Sequence, residues 1–357
     1  MTRAQALSGL AAAATVGATA RPARAAALSD LVSAAKGEKE LNLVAGSDTF
    51  GGAPGMTALN DAFNKRFGLN ATLTLTPGPA MTVMGSRVLT EYQGNHTAST
   101  GAYLGPFSQF ITLSHAGALQ KVDWVGTFPW VTRAMVVDPD GVGLLMRTGP
   151  NAMLYNPKVL PANQAPASYD DLVNPKVNAP WNKKLALAPY PDWLAMLSIT
   201  WGAERVKALA AKLATIAGGA LRYGDAQPLI DGQFALMANE GSCLELKWLW
   251  ESKNVPFNVV FGSNPVVCDY FQMGVPKNSP APHLAQLFVG FMTTPEAQAI
   301  TDKFGGQGSH LVPGTRIYAY IRSQRITLQD PRRVYTFFSD PSTPALYDEL
   351  GKIIRLS

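Results

Sequence analysis

Little of this chain is charged, and almost none of it is cysteine. Asp, Glu, Lys and Arg make up 15% of 357 residues against 47% hydrophobic ones, a balance that excludes a disordered polyelectrolyte. No basic run is interleaved with aromatics, so the electrostatic footprint of a nucleic-acid binder is missing. A phosphate-loop Lys-Ser/Thr ending, a spaced-glycine dinucleotide fingerprint, a Gly-x-Ser-x-Gly elbow and a His-Glu-x-x-His pair are all absent. ATP hydrolysis, dinucleotide chemistry and the usual nucleophile or zinc arrangements therefore have no signature. The four histidines, His96, His115, His283 and His310, are scattered. The two cysteines, Cys243 and Cys268, lack metal-ligand spacing, and neither a metal nor another cofactor is expected. In an oxidising compartment they form a candidate disulfide, and in a packed core they are two small buried thiols. Both readings stand at this point.

What the amino terminus does contain is an export pattern. Arg3 is followed by a charge-free run, Ala6 to Ala20, and then by Arg21-Pro22-Ala23-Arg24-Ala25-Ala26-Ala27. A positive start, a modest apolar centre and an Ala-x-Ala site at Ala23 and Ala25 are the three parts of a secretory signal, here residues 1–25. The centre is too short and too alanine-rich for a spanning helix, and no later run reaches bilayer length. Export to the periplasm is expected. Removing Arg3, Arg21 and Arg24 leaves 27 basic against 25 acidic residues, so most of the formal charge of +5 belongs to the signal. Roughly 330 remaining residues exceed what one core usually serves, which predicts two α/β lobes.

The organising stretch is Leu41 to Phe63: a short apolar strand, a small-residue loop from Ser47 through Asp48, Thr49 and Phe50 to Gly51, and a helix with Met56, Leu59, Phe63 and Phe67 on one face. A second strand, Ala71 to Thr76, ends at a corner containing Gly78 and Pro79. A third, Gly101 to Leu104, ends at Gly105-Pro106-Phe107. Three strand-loop-helix units in succession predict a parallel sheet whose loops share a rim at the carboxyl ends of the strands. Strands at Gly143 to Arg147 and Ala152 to Tyr155 break this rhythm and read as a crossing into a second α/β lobe. A long extended segment, Val259 to Gly274, reads as the return. The predicted division is 26–142 with 268–357 in lobe 1 and 143–267 in lobe 2.

The order of these pieces resembles the periplasmic solute-binding proteins of bacterial ABC importers, in the branch that includes ferric-iron, thiamine and polyamine binders. The resemblance rests on Gly51-Gly52 through Leu59-Asn60-Asp61-Ala62-Phe63, on Pro77-Gly78-Pro79, on His115-Ala116-Gly117-Ala118-Leu119 and on Tyr155-Asn156-Pro157-Lys158. It continues through Ser168-Tyr169-Asp170-Asp171-Leu172, Gly274-Val275-Pro276-Lys277-Asn278-Ser279-Pro280 and Thr293-Thr294-Pro295-Glu296-Ala297-Gln298. It implies the type II two-lobed fold with a hinge, a solute held between the lobes, no catalysis, and a monomer delivering its solute to a membrane permease. A sensor subunit or a two-lobed enzyme is the alternative class.

Ferric binders of that branch coordinate through tyrosines, often an adjacent pair, and no Tyr-Tyr pair occurs here. Helix amino ends at the rim, with Arg147 opposite, favour a small organic anion. Asp48, Asp192, Glu240 and Asp269 are the carboxylates that a thiamine- or polyamine-like cation would use. Phe50, Phe107, Tyr190, Trp193, Tyr223 and Tyr270 complete the candidate ligand-binding set with the rim residues named above.

Amino-terminal sequencing of protein exported by its native host should begin near Ala26 or Leu28. A product that retains Met1 would refute the export signal.

Overall fold

The computed structural model describes residues 24–355, so the expected signal segment lies, but for its last two residues, outside the described residues. Residues 24–35 form helix α1. Then follow β1 (Glu40–Ala45), a 3-10 turn (Thr49–Gly51), α2 (Gly52–Phe67), β2 (Thr72–Pro77), α3 (Met81–Gln93), β3 (Tyr103–Pro106), α4 (Phe107–His115) and α5 (Trp124–Thr127). The middle of the chain holds β4 (Gly143–Pro150), β5 (Ala152–Tyr155), α6 (Tyr169–Leu172), β6 (Leu185–Leu187), α7 (Asp192–Trp201), α8 (Ala203–Ile216), β7 (Ala217–Ala220), α9 (Gln227–Ile230), β8 (Leu236–Glu240), α10 (Cys243–Glu251), β9 (Asn258–Val260) and β10 (Cys268–Gly274). It ends in α11 (Pro282–Phe291), α12 (Pro295–Gly305), α13 (Arg316–Ser323), α14 (Pro331–Ser339) and α15 (Thr343–Ile353).

Two compact units result. Unit 1 contains residues up to 105 with 112–146 and 272–300; unit 2 contains 106–111, 147–271 and 301–357. The chain therefore passes between units five times, inside β3, α4, β4, β10 and α12, where the sequence suggests two crossings. Residues 301–357 group with unit 2, whereas the sequence reading assigns them to the first lobe.

In unit 1, β1 and β2 pair in parallel, with Leu41 opposite Leu73 and Leu43 opposite Leu75. Alternation along β1 buries Leu41, Leu43 and Ala45, and α2 covers the sheet with Met56, Leu59 and Phe63. The Phe63 ring meets Phe288 and Phe291 of α11 edge-on at 6.1 and 5.6 Å between centroids. The third predicted strand does not continue this ladder. It begins later, at Tyr103, and joins the order β3-β10-β4. Its approach to β1 is made by Gly101, whose N–H donates to Asn42 O, and by Thr100, whose hydroxyl accepts from Val44 N. Gly101 suits that approach because a Cβ there would stand 2.2 Å from Leu41 Cδ1.

Unit 2 is built on a five-stranded sheet in the order β7-β6-β8-β5-β9. β6 runs parallel to β7 and β8, while β5 runs antiparallel to β8 and β9. The predicted strand at Leu221 to Gly224 forms one turn earlier, at Ala217–Ala220, because Gly218 lies so close to Lys183 O that a Cβ would stand at 2.2 Å. The predicted Val259 to Gly274 segment divides into β9 and β10, with a cis Asn264-Pro265 peptide between them.

Helix α11 shows a cap supplied from far away in sequence. Its N-cap residue is Ala281, which has no side-chain acceptor. Glu38 provides one instead: Oε2 accepts from Leu284 N at 2.7 Å and Oε1 from His283 N at 3.2 Å, with the His283 ring 2.7 Å from the same oxygen. The carboxylate also sits at the positive end of the helix dipole. Glu38→Ala should cost about 1 to 2 kcal/mol in urea unfolding and His283→Ala clearly less; equal midpoints for Glu38→Ala and wild type would remove this cap from the account.

Candidate functional site

The carboxyl ends of β6, β7 and β8 point the same way because these strands are parallel, and Asn151, just before β5, arrives at that end because β5 is antiparallel with Ala152 opposite Glu240. Asn151 N donates to Val267 O and so brings the start of β10 there too. The loop after β6 supplies Tyr190 and Asp192, the loop after β7 Tyr223, the end of β8 Asn239 and Glu240, and β10 Asp269. Open α/β sheets collect ligands at this end of their strands.

Hydrogen bonds join these groups into one network. Tyr169 donates to Asn239 Oδ1 at 3.0 Å; Asn239 Nδ2 donates to Asn151 Oδ1 at 2.7 Å and to the Tyr223 hydroxyl at 2.9 Å; Asn151 Nδ2 donates to Asp269 Oδ2 at 3.0 Å. Asp192 Oδ2 accepts from the Tyr347 hydroxyl at 2.9 Å. Glu240, fully buried, accepts from Ser242 N and Gly224 N. Gly241 makes the close packing possible: a Cβ there would lie 2.5 Å from Asp269 Oδ2 and 3.3 Å from Tyr223 Cε2.

The electrostatics are lopsided. Asp192, Glu240, Glu245 and Asp269 are gathered with a single guanidinium, Arg147. Burial pushes the Asp269 carboxyl up to about 7, reinforced by the charge of Asp192 and opposed by the Asn151 hydrogen bond. Burial also raises Glu240 to about 7 against its two backbone N–H donors, and lifts Asp192 and Glu245 above the usual range. Arg147 is already engaged. Its Nε and Nη2 grip Glu245 at 2.8 and 2.7 Å, Nη2 also reaches Ser242 Oγ, and the guanidinium lies 4.6 Å from the Phe271 ring centroid. Among the described residues Asp269 Oδ1 has no hydrogen-bond partner.

The remaining candidates divide by packing. Phe50 is core in unit 1, edge-on to Phe288, and Thr49 is buried with it, leaving Ser47 and Asp48 exposed. Gly78 N bonds Ala45 O, and a Cβ at Gly78 would stand 2.5 Å from Val44 Cγ1, so the corner with Pro79 is a tight backbone approach. Gly105 belongs to unit 1, Pro106 and Phe107 to unit 2. Phe107 stacks on Tyr270 at 5.6 Å, and Trp193 packs on Tyr169 at 5.1 Å; all four rings are buried. These rings carry packing rather than an open stacking face. Tyr190, 37% exposed, leans on Tyr223 at 5.2 Å. Cys243 and Cys268 are buried, unbonded thiols directed at Pro150 O and Asp269 O. Among the described residues no group of three or more His, Cys, Asp and Glu is placed to hold a metal ion. Sequence reading passed over Asn151 and Asn239, whose roles depend on strand order, and over Tyr347, which lies in a helix that it did not foresee.

The profile of the bacterial extracellular solute-binding protein family matches residues 58–314, and the chain belongs to that family. Its fold is the two-lobed periplasmic binding protein fold. Iron-bound HitA from Pseudomonas aeruginosa is similar at a TM-score of 0.67 and 17% identity, covering 88% of this chain and 99% of its own. The Trichodesmium protein IdiA (FutA), in complex with iron and citrate, is similar at 0.65 and 16%, covering 89% and 100%. An ABC transporter substrate-binding protein from Bradyrhizobium japonicum reaches 0.69 at 14%, covering 89% and 100%. No curated protein sequence matches significantly. Among the described residues no helix is long and apolar enough to cross a membrane.

Asp269 and Glu240 also set a pH dependence. Their folded pKa values lie above the ordinary carboxylate range, so near neutrality the folded state binds more protons than the unfolded one and stability rises as pH falls. His310, held down to about 4 by burial, works in the opposite direction, weakly near neutrality and more strongly as pH falls further through its ordinary value of 6.5. Between pH 8 and pH 6.5 the melting temperature should rise by roughly 2 to 4 °C, and Asp269→Asn should flatten part of that rise; a fall over this window would contradict the site's charge balance.

Proposed function

We propose that this protein is the extracytoplasmic solute-binding subunit of an ABC importer and that its solute is a small organic cation. The observation that carries this reading is the excess of carboxylates at the strand ends of unit 2, where the one guanidinium is spent on Glu245. The small-anion expectation drew on helix amino ends and on Arg147 as an opposing cation, and Arg147 instead holds Glu245 through Nε and Nη2. A cationic nitrogen would take the open Asp269 Oδ1 and the charge of Asp192, and would meet the face of Tyr190 beside Tyr223. Two proteins of the same fold are described with iron bound, one of them together with citrate, which is compatible with a positively charged solute here. Two half-buried carboxylates flanked by tyrosines suit an ammonium or quaternary nitrogen, held by charge and ring face together. The protein binds and releases its solute without chemistry and hands it to a membrane permease.

Calorimetry should compare spermidine, thiamine, ferric citrate and succinate on the mature protein. One of the organic cations should bind, with Asp269→Asn weakening it about 10- to 100-fold, the span of about 1.5 to 3 kcal/mol for a charged hydrogen bond. Tyr190→Ala should weaken it less. Binding of succinate alone would reverse the sign of the proposed solute, and binding of ferric citrate alone would replace the organic cation by a metal.

A further inference from the structure

The carboxyl-terminal part of unit 2 carries a surface that solute binding does not use. Residues 316–333 contain five arginines and one aspartate. Arg316 is paired with Asp302. The other four, Arg322, Arg325, Arg332 and Arg333, are exposed and flank the short connection between α13 and α14. Arg322, Arg325 and Arg333 pair with no carboxylate among the described residues. Asp330, itself exposed, is the one acid of the stretch and serves as the N-cap of α14, its Oδ1 accepting from Arg332 N.

Two features show that this is more than a solvated helix end. Arg332 and Arg333 occupy the first turn of α14, where the helix dipole favours acids and disfavours cations, so their placement costs the fold rather than helps it. The connection that carries Arg325 and joins the helix ends bearing the other three is pinned: Val266 N donates to Thr327 O, Gln329 N to Val266 O, and Gln329 Nε2 to Met196 O. The positive charge is thus held on a fixed scaffold.

We propose that this surface docks the protein on anionic phospholipid headgroups. Clustered exposed cations are drawn to a layer of headgroup phosphates by charge, whichever basic side chain carries it. A protein partner would ask for an apolar or aromatic anchor at the centre of the contact, and no large hydrophobic side chain of 316–333 is exposed. Ile326 and Leu328 pack inward on the cluster around Cys243 and Ile317. An electrostatic headgroup contact needs no such anchor. The inference is independent of the solute's identity.

Cosedimentation of the mature protein with phosphatidylcholine vesicles, with and without roughly 30% phosphatidylglycerol, tests it. The wild type should bind only the anionic vesicles and be released near 1 M salt, where the screening length is about 3 Å. Replacing all four arginines by glutamine should weaken binding several hundredfold, at about fivefold per arginine, while melting temperature and solute affinity stay unchanged. Lysine at the same four positions should retain most of the binding. Failure of the wild type to bind anionic vesicles, equal binding to neutral ones, undiminished binding by the glutamine variant, or loss in the lysine variant would each overturn the proposal.

Discussion

A guanidinium carries five N–H donors but one positive charge, and a carboxylate that grips it through two parallel hydrogen bonds neutralises most of that charge for the acids around it. In unit 2 that constraint governs the site. Arg147 is committed to Glu245 and Ser242, and its flat face is covered by Phe271. Every other acid nearby must be stabilised by dipoles or by protonation. Glu240 takes two backbone N–H groups, Asp192 a tyrosine hydroxyl, and Asp269 a single amide. Asp192 and Asp269, with one side-chain donor each, are the least satisfied of the set, and the excess of negative charge around them follows from where Arg147 is spent.

The aromatic side chains obey a separate demand, that of filling volume. Phe50, Phe107, Trp193 and Tyr270 are among the larger apolar groups available, and each is buried against another ring. Gly290 illustrates the tightness: a Cβ there would stand 2.4 Å from the Phe128 ring. Tyr190 escapes because it lies in a Pro-Tyr-Pro turn beyond the end of β6, where chain direction rather than burial decides its position.

Much of the fold was legible because its signals are local. A short apolar run marked β1, Thr-Leu alternation marked β2, three- and four-residue spacing marked α2, and Ser168 is a cap residue by type, its Oγ accepting from Asp171 N at the start of α6. The helices α13 to α15 went unread; α13 and α14 are short and carry arginines beside their apolar residues, and α15 mixes acids and a lysine with its own. In the site, Asp192, Tyr223, Glu240 and Asp269 were visible as side chains of the right type after strands. Their company was not. That Asn151 and Asn239 connect them depends on β5 entering antiparallel between β8 and β9, and no sequence spacing encodes which strand lies next to which.

The amide chain in unit 2 has a direction. Starting at the Tyr169 hydroxyl, the bonds through Asn239 and Asn151 all donate toward Asp269. Each asparagine is locked by giving at one end and receiving at the other, so neither can rotate by half a turn without breaking both contacts. Asp269 stands at the terminus of this one-way relay, with Oδ2 permanently an acceptor. A proton that joins the carboxyl must then reside on Oδ1, so on the proposed reading proton and solute cation compete for a single atom.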